Sequence, residues 1–254
     1  MKKVEVNNIC LNYHSVKGET AALKNISFSI EEGEFVTIVG PSGCGKSSLL
    51  NIIASLATPS SGNILVDEKD LSLSIVKFGY MFQRDHLFEW LNVYDNVILG
   101  LKIQHKFNSK NKERILSLLK SYNLIDFIHH YPKELSGGMR QRVALIRTLA
   151  LEPDVLLLDE PFSGLDFQTR LNVIDEVFQI IKNEKKTVLM VTHDISEAIS
   201  MSNKVLVLSK RPASLKRDLL ITFSEEYNSP LKRREAPEFR VYFDNLWKEL
   251  DKND

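Results

Sequence analysis

The sequence predicts an α/β fold: a largely parallel sheet flanked by helices, carrying a helical insertion and a short C-terminal helical extension. Three observations carry this reading. Apolar runs of strand length at Phe35 to Val39, Val155 to Leu158, Val188 to Val191 and Val205 to Leu208 alternate with helical patterns, and that alternation is the signature of parallel strands joined by crossover helices. Most of these runs are apolar at successive positions, as expected of strands covered on both faces. The stretch from about residue 84 to 150 departs from the alternation, being aromatic and polar at first and then helical in KERILSLLKSYNLIDFI, with no convincing strand. The expected organisation is one domain over 1–254: a core of about 1–83 and 151–210, the insertion of about 84–150, and an extension of about 211–254. In the extension the chain is polar and irregular through KRPASLKRD, and then Phe239, Phe243, Leu246 and Leu250 recur at helical spacing between Glu238 and Leu250.

Composition narrows the function classes. Thirty-three basic residues balance thirty-three acidic ones in 254 residues, so no global field favours DNA, RNA or an anionic surface, and no nucleic-acid partner is expected. Two cysteines, Cys10 and Cys44, support neither a disulfide framework nor a zinc site. The N-terminus lacks the apolar core of a signal peptide, and no run approaches the ~18 apolar residues of a membrane span. Any membrane role is expected to come through a partner.

The first chemical motif is GPSGCGKSS, Gly40 to Ser48, set between the strand Phe35 to Val39 and the helical SSLLNIIASL. It matches GxxxxGK[ST] in the required context. Gly40, Gly43 and Gly45 let the backbone curl, with Pro41, Ser42 and Cys44 between them, so that N–H groups face a phosphate at a helix N-terminus. Lys46 is placed to neutralise β- and γ-phosphates, and Ser47 to ligate Mg²⁺. Cys44 reads as a spacer whose thiol is expected to be alkylatable and protected by ATP. The second motif is VLLLDEP, a buried strand ending in two carboxylates: Asp159 suits the Mg²⁺ shell, and Glu160 suits polarising an attacking water.

The third motif discriminates among phosphate-loop proteins. LSGGM, Leu135 to Met139, opens the helical run GGMRQRVALIRTLAL, so Ser136, Gly137 and Gly138 form a second anion-binding helix N-terminus. Two phosphate sites with one acidic strand end suggest that each chain lends a site to a partner. Over about residues 1–210 the sequence resembles the ATP-binding cassette (ABC) ATPases, phosphate-loop NTPases in which two copies pair head to tail and trap two ATP molecules between phosphate loop and opposing signature.

The resemblance implies further roles. Gln83 in GYMFQRD matches the glutamine that contacts Mg²⁺ or the attacking water; His193 in VLMVTHD matches the switch histidine that donates to the γ-phosphate. Asp166 in SGLD matches the loop that touches the opposing protomer, and Tyr13 the aromatic that stacks on adenine. FQRDHLFEWLNVYDNVILGL and LSGGMRQR resemble the importer branch serving nitrate, sulfonates and taurine. Departures from the branch are Glu89 in place of proline, Gly164 in place of alanine, and Ile146 and Thr148 in place of small alanines. Trp90 and Trp247 read equally as core aromatics or partner contacts. The implied protein is the ATPase of a small-solute importer, peripheral on the cytoplasmic face of the membrane, with a second ATPase copy and permease subunits as partners and a solute-binding protein engaged indirectly. An exporter or lipoprotein-release ATPase, or a regulatory ABC ATPase without a transport role, stays open at this point.

Overall fold

The computed structural model describes residues 1–15, 18–73 and 76–251, so the last residues assigned to the extension, 252–254, lie outside the described residues. Two sheets and their helices follow in chain order: β1 (Lys2–Ser15), β2 (Gly18–Glu31), β3 (Phe35–Val39), α1 (Lys46–Ile53), β4 (Ser61–Val66), β5 (Lys69–Asp70) and β6 (Phe78–Met81). The insertion contributes α2 (Val93–Ile103), α3 (Ser109–Ser121) and α4 (Gly137–Leu149). Then come β7 (Val155–Asp159), α5 (Phe167–Asn183), β8 (Thr187–Val191), α6 (Ile195–Met201), β9 (Lys204–Leu208), β10 (Leu215–Leu220), α7 (Pro230–Arg233) and α8 (Pro237–Asp251).

The central sheet has the order β10-β9-β3-β8-β7-β6. Neighbours from β9 to β6 run parallel, and β10 pairs antiparallel with β9. Every residue of β3, β8 and β9 is buried, which is why these segments are apolar without alternation. A second, antiparallel sheet of order β2-β1-β4-β5 lies across α1. Leu49, Leu50, Ile52 and Ile53 of α1 share one core with Val4, Val6, Ile9 and Leu11 of β1 and with Val36 and Ile38 of β3. That packing clamps the helix that begins at Lys46 between two sheets.

The structure adds one sheet to the expected architecture and corrects two expectations. The antiparallel sheet was not legible, because β1 changes phase: Val6 pairs with Phe28, but Ile9 pairs with Ile26 across a bulge at which Asn8 takes φ 50°. The buried set therefore moves from even to odd positions, and the alternation that marks a strand is lost. The stretch after residue 210 is not irregular: Leu215–Leu220 forms β10, an edge strand whose exposed residues account for its polarity. The core sheet thus reaches Leu220. In the insertion, the helical run ends at Ser121, with Asn123 at φ 56° and a separate 3₁₀ turn over Ile125–Phe127.

Two further features bear on the site. A Cβ at position 79 of β6 would sit 2.6 Å from Thr148 Cγ2, so Gly79 makes the room that Thr148 of α4 occupies. The extension packs through α8, whose Leu246 is buried with Phe239 and Phe243 against Ile195, Ala198 and Ile199 of α6.

Candidate functional site

Parallel strands deliver their C-terminal ends to one edge of the sheet, and a ligand site forms where loops leave that edge. Here four neighbouring strands do so. The loop Gly40 to Gly45 follows β3, His193 follows β8, Asp159 and Glu160 close β7, and Gln83 follows β6.

The loop after β3 has the backbone of an anion cradle. Gly43 takes φ 71° and Gly45 φ 120°, values that L side chains rarely adopt. A Cβ at Gly40 would meet Cys44 Sγ at 3.1 Å and the Leu208 carbonyl at 3.2 Å. Lys46 is buried, and its Nζ donates to the carbonyls of Gly40 at 2.8 Å and Pro41 at 3.0 Å. Ser47 Oγ donates to Asp159 Oδ1 at 2.9 Å. Burial raises the Asp159 carboxyl above the ordinary carboxylate range, opposed by its bond from Ser47. Tyr80 O–H donates to Asn51 Oδ1 at 3.0 Å and Asp159 Oδ2 at 3.4 Å, so it orients the same carboxylate, and burial raises the phenol further from ionisation.

Glu160 stands at φ 45°. A non-glycine residue in that region stores about 1–3 kcal/mol and persists only where its surroundings hold it. Glu160 N–H donates to the Val191 carbonyl at 2.8 Å, fixing the turn to β8. The turned carboxylate accepts from Gln83 Nε2 at 3.3 Å and lies 3.1 Å from His193 Nδ1. Gln83 also donates to Ser163 Oγ at 3.2 Å, and Ser163 Oγ donates to the Glu160 carbonyl at 3.1 Å. A carboxylate, an amide and an imidazole thus converge beside the phosphate cradle, an arrangement able to align a water and take its proton.

The remaining sequence candidates fall in three places. Tyr13 is half exposed; its hydroxyl lies 2.8 Å from Ser48 Oγ and its ring 5.6 Å from the Arg211 guanidinium, so it adjoins the end of the cradle. Ser136 caps α4 by accepting from Met139 N–H at 3.2 Å, and Asp166 caps α5 by accepting from Thr169 N–H at 3.0 Å. A Cβ at Gly138 would stand 2.6 Å from Val173 Cγ2 of α5, so the signature glycines seat α4 closely on α5. Among the described residues, none of these signature residues bonds to Gln83, Glu160 or His193. Against expectation, Cys44 is only 2% exposed and burial raises its thiol, so it is not open to alkylation.

Several contributors escaped sequence reading. Tyr80 and Ser163 lie inside the stretches GYMFQRD and SGLD, but those stretches point to Gln83 and Asp166 and single out neither of them. Asp85 pairs with Arg140 at 3.1 Å while its carbonyl accepts from Arg147 at 2.7 Å, tying the loop after Gln83 to α4. Glu197 is 3% exposed and accepts from Thr192 O–H at 2.7 Å, next to His193. Thr192 Oγ in turn accepts from Asp194 N–H at 3.1 Å.

The donor set suits Mg²⁺ with a nucleoside triphosphate. Ser47 and Asp159 offer paired hard oxygens, and among the described residues no group of three His, Cys, Asp or Glu gathers into a self-sufficient metal cage. A cation held here is completed by water and phosphate oxygens, the usual habit of Mg²⁺.

The sequence model of the ABC transporter family matches residues 23–163. The chain belongs to the ABC transporter family. This ABC ATPase is 44% identical over 251 residues to the uncharacterized ABC transporter ATP-binding protein YtlC of Bacillus subtilis, covering 99% of this chain and 96% of that one. It is 40% identical to the nitrate import ATP-binding protein NrtD of Synechocystis sp., over 96% of this chain and 93% of the relative. It is 41% identical to the aliphatic sulfonates import ATP-binding protein SsuB of Bacillus cereus, over 84% and 83%. Among solved structures, a dimeric post-hydrolysis state of the ATP-binding cassette MJ0796 bound to ADP and Pi superimposes with a TM-score of 0.72 at 32% identity, covering 87% of this chain and 99% of that one. Among the described residues no helix is long and apolar enough to cross a membrane.

Proposed function

We propose that this ABC ATPase is the energy-coupling subunit of an importer for a small solute of the nitrate, sulfonate or taurine class. It works as a pair of identical chains on the cytoplasmic face of the membrane, beneath permease subunits supplied by an extracytoplasmic solute-binding protein. The observation that carries the hydrolytic part is Glu160, held at left-handed φ between Gln83 and His193 beside the phosphate cradle. The importer part rests on relatives named for nitrate and aliphatic sulfonate import that match most of this chain.

In this reading the N–H groups of Gly40 to Ser47 cradle the β-phosphate, and Lys46 exchanges its two carbonyl partners for β- and γ-phosphate oxygens. Mg²⁺, when bound, neutralises charge on those oxygens; Ser47 would ligate it, with Asp159 and Gln83 around its waters. Glu160 takes the proton of the water that attacks the γ-phosphorus as the bond to the bridging oxygen breaks, leaving ADP and phosphate. Gln83 orients that water, and His193 donates to the γ-phosphate. Tyr13 supports the adenine. Ser136, Gly137 and Gly138 present the α4 N-terminus to ATP bound on the opposing chain, with Asp166 at the interface between the two, which is why they need no partner among the chain's own catalytic groups. ATP binding closes the pair and hydrolysis releases it.

The permease contact falls to the aromatic start of the insertion. Trp90 is 73% exposed and its ring lies tilted at 53° to that of the exposed Phe88, 5.1 Å between centroids, so it is not a core aromatic. Tagged Glu160→Gln protein, captured with ATP from detergent-solubilised native membranes, is expected to bring down a multi-spanning permease, and less of it when Trp90 is replaced by alanine. Recovery of the self-dimer alone, of an exporter, or of ribosomal or DNA-repair proteins would contradict the importer reading.

A further inference from the structure

A cavity of about 380 Å³ opens at the edge of the central sheet opposite to the phosphate cradle. Phe35 starts β3, Lys186 precedes β8 and Asn203 precedes β9, so the cavity lies at the N-terminal ends of these strands. A five-residue strand separates the two edges by about 17 Å. The floor is apolar, made by Phe35, Phe178 and Ile181, each mostly buried. The rim is cationic, made by Lys182, Lys185 and Lys186 at the end of α5 and Arg233 of α7.

The three lysines are not consumed by the fold, whereas Arg233 is held in place by it. The nearby carboxylates are engaged elsewhere: Glu184 with Arg114 at 3.8 Å and Glu34 with Lys204 at 3.0 Å. Among the described residues, none of the three lysines has a carboxylate within 4.0 Å. The Arg233 guanidinium lies 5.1 Å from the Phe178 ring and 5.4 Å from the Phe223 ring, and donates to the Ser200 carbonyl at 3.0 Å. Its Nε is buried without a partner. Four positive charges around an apolar floor stand out in a chain whose net charge is zero.

We infer that this cavity binds a small organic anion with an apolar body, such as an alkyl or aryl sulfonate, carboxylate or phosphate monoester. The body rests on Phe35, Phe178 and Ile181, and the head sits among the three lysines and Arg233. The volume falls in the range of about 300–1,000 Å³ that small-molecule sites occupy. A bare inorganic anion would leave the aromatic floor unused. One wall belongs to the catalytic core and the other to the extension, which meets α5 again where Asp175 Oδ1 accepts from Leu231 N–H at 3.3 Å. An occupant therefore fastens the extension to α5, the helix capped at its other end by Asp166.

The test uses the full-length protein and 8-anilinonaphthalene-1-sulfonate as a fluorescent probe of the stated chemistry. The site predicts saturable one-to-one binding, displaced by hexanesulfonate but not by sodium sulfate at equal ionic strength, and unaffected by ATP with Mg²⁺. The triple substitution Lys182→Gln, Lys185→Gln and Lys186→Gln should weaken binding about tenfold, the sum of three exposed charge contacts. The corresponding three Lys→Arg changes should keep it. Probe binding that ignores the glutamine variant, yields to ATP, or yields equally to sulfate would overturn the inference.

Discussion

Glu197 offers the sharpest quantitative prediction, because its burial has a consequence that can be measured across pH. Its carboxyl is raised from 4.5 to about 7, chiefly by burial, against the bond from Thr192 that lowers it; Asp194 adds to the rise, and Arg170 and His193 oppose it. A carboxyl whose folded value is raised binds its proton more tightly in the native state, so its stabilising contribution is full below pH 4.5 and is lost as pH climbs through about 7. At 1.36 kcal/mol per pKa unit the whole effect is about 3 kcal/mol, of which about 2–3 kcal/mol falls between pH 5 and pH 8. Glu197→Gln keeps an oxygen for the Thr192 hydroxyl and removes the charge. Urea unfolding of both proteins at pH 5 and pH 8 should show nearly equal stability at pH 5, and the glutamine variant more stable by about 2–3 kcal/mol at pH 8. A difference that is the same at both pH values would mean that Glu197 does not gain a proton on folding in this range. Because Thr192 and Asp194 bracket His193, the same variant should alter turnover with pH more than it alters ATP affinity.

Further expectations follow from single contacts. Iodoacetamide on the native protein should modify Cys10 before Cys44: the Cys10 thiol is partly accessible and lowered by bonds from Ser61 and Asn25 N–H, whereas Cys44 is buried and raised. Peptide mapping by mass spectrometry reads the order, and equal rates would contradict it. Gly138→Ala would drive a methyl into Val173 at 2.6 Å, which should lower stability by about 1–3 kcal/mol in denaturant unfolding and separate α4 from α5.

The parallel core was readable because its strands are buried on both faces and therefore written as contiguous apolar runs. β3, β7, β8 and β9 coincide with those runs to within a residue. The antiparallel sheet was not, since the Asn8 bulge shifts the buried positions of β1 by one; nor was β10, an edge strand that buries none of its residues and exposes half of them. The candidate site divides in the same way. Gly40 to Ser48, Ser136 to Gly138 and the pair Asp159, Glu160 are contiguous in sequence, because one turn or one helix start performs each job. Tyr80 and Ser163 act through bonds to Asp159 and Gln83 that join residues 79 and 80 apart, and Glu197 acts through burial beside Thr192, neither of which a local pattern announces. Cys44 shows the opposite error: a position in a glycine-rich loop suggested exposure, while the packing of the loop against Leu208 buries it.

The central claim is that Glu160 drives hydrolysis on a site completed by a second chain. Sedimentation velocity of Glu160→Gln with and without ATP and Mg²⁺, run beside a phosphate-release assay, tests it most directly. A stable ATP-dependent dimer is expected, with phosphate release reduced at least about a hundredfold, or about 2.7 kcal/mol of lost barrier lowering. A variant that turns over at the wild-type rate, or that binds ATP and stays monomeric, would contradict it.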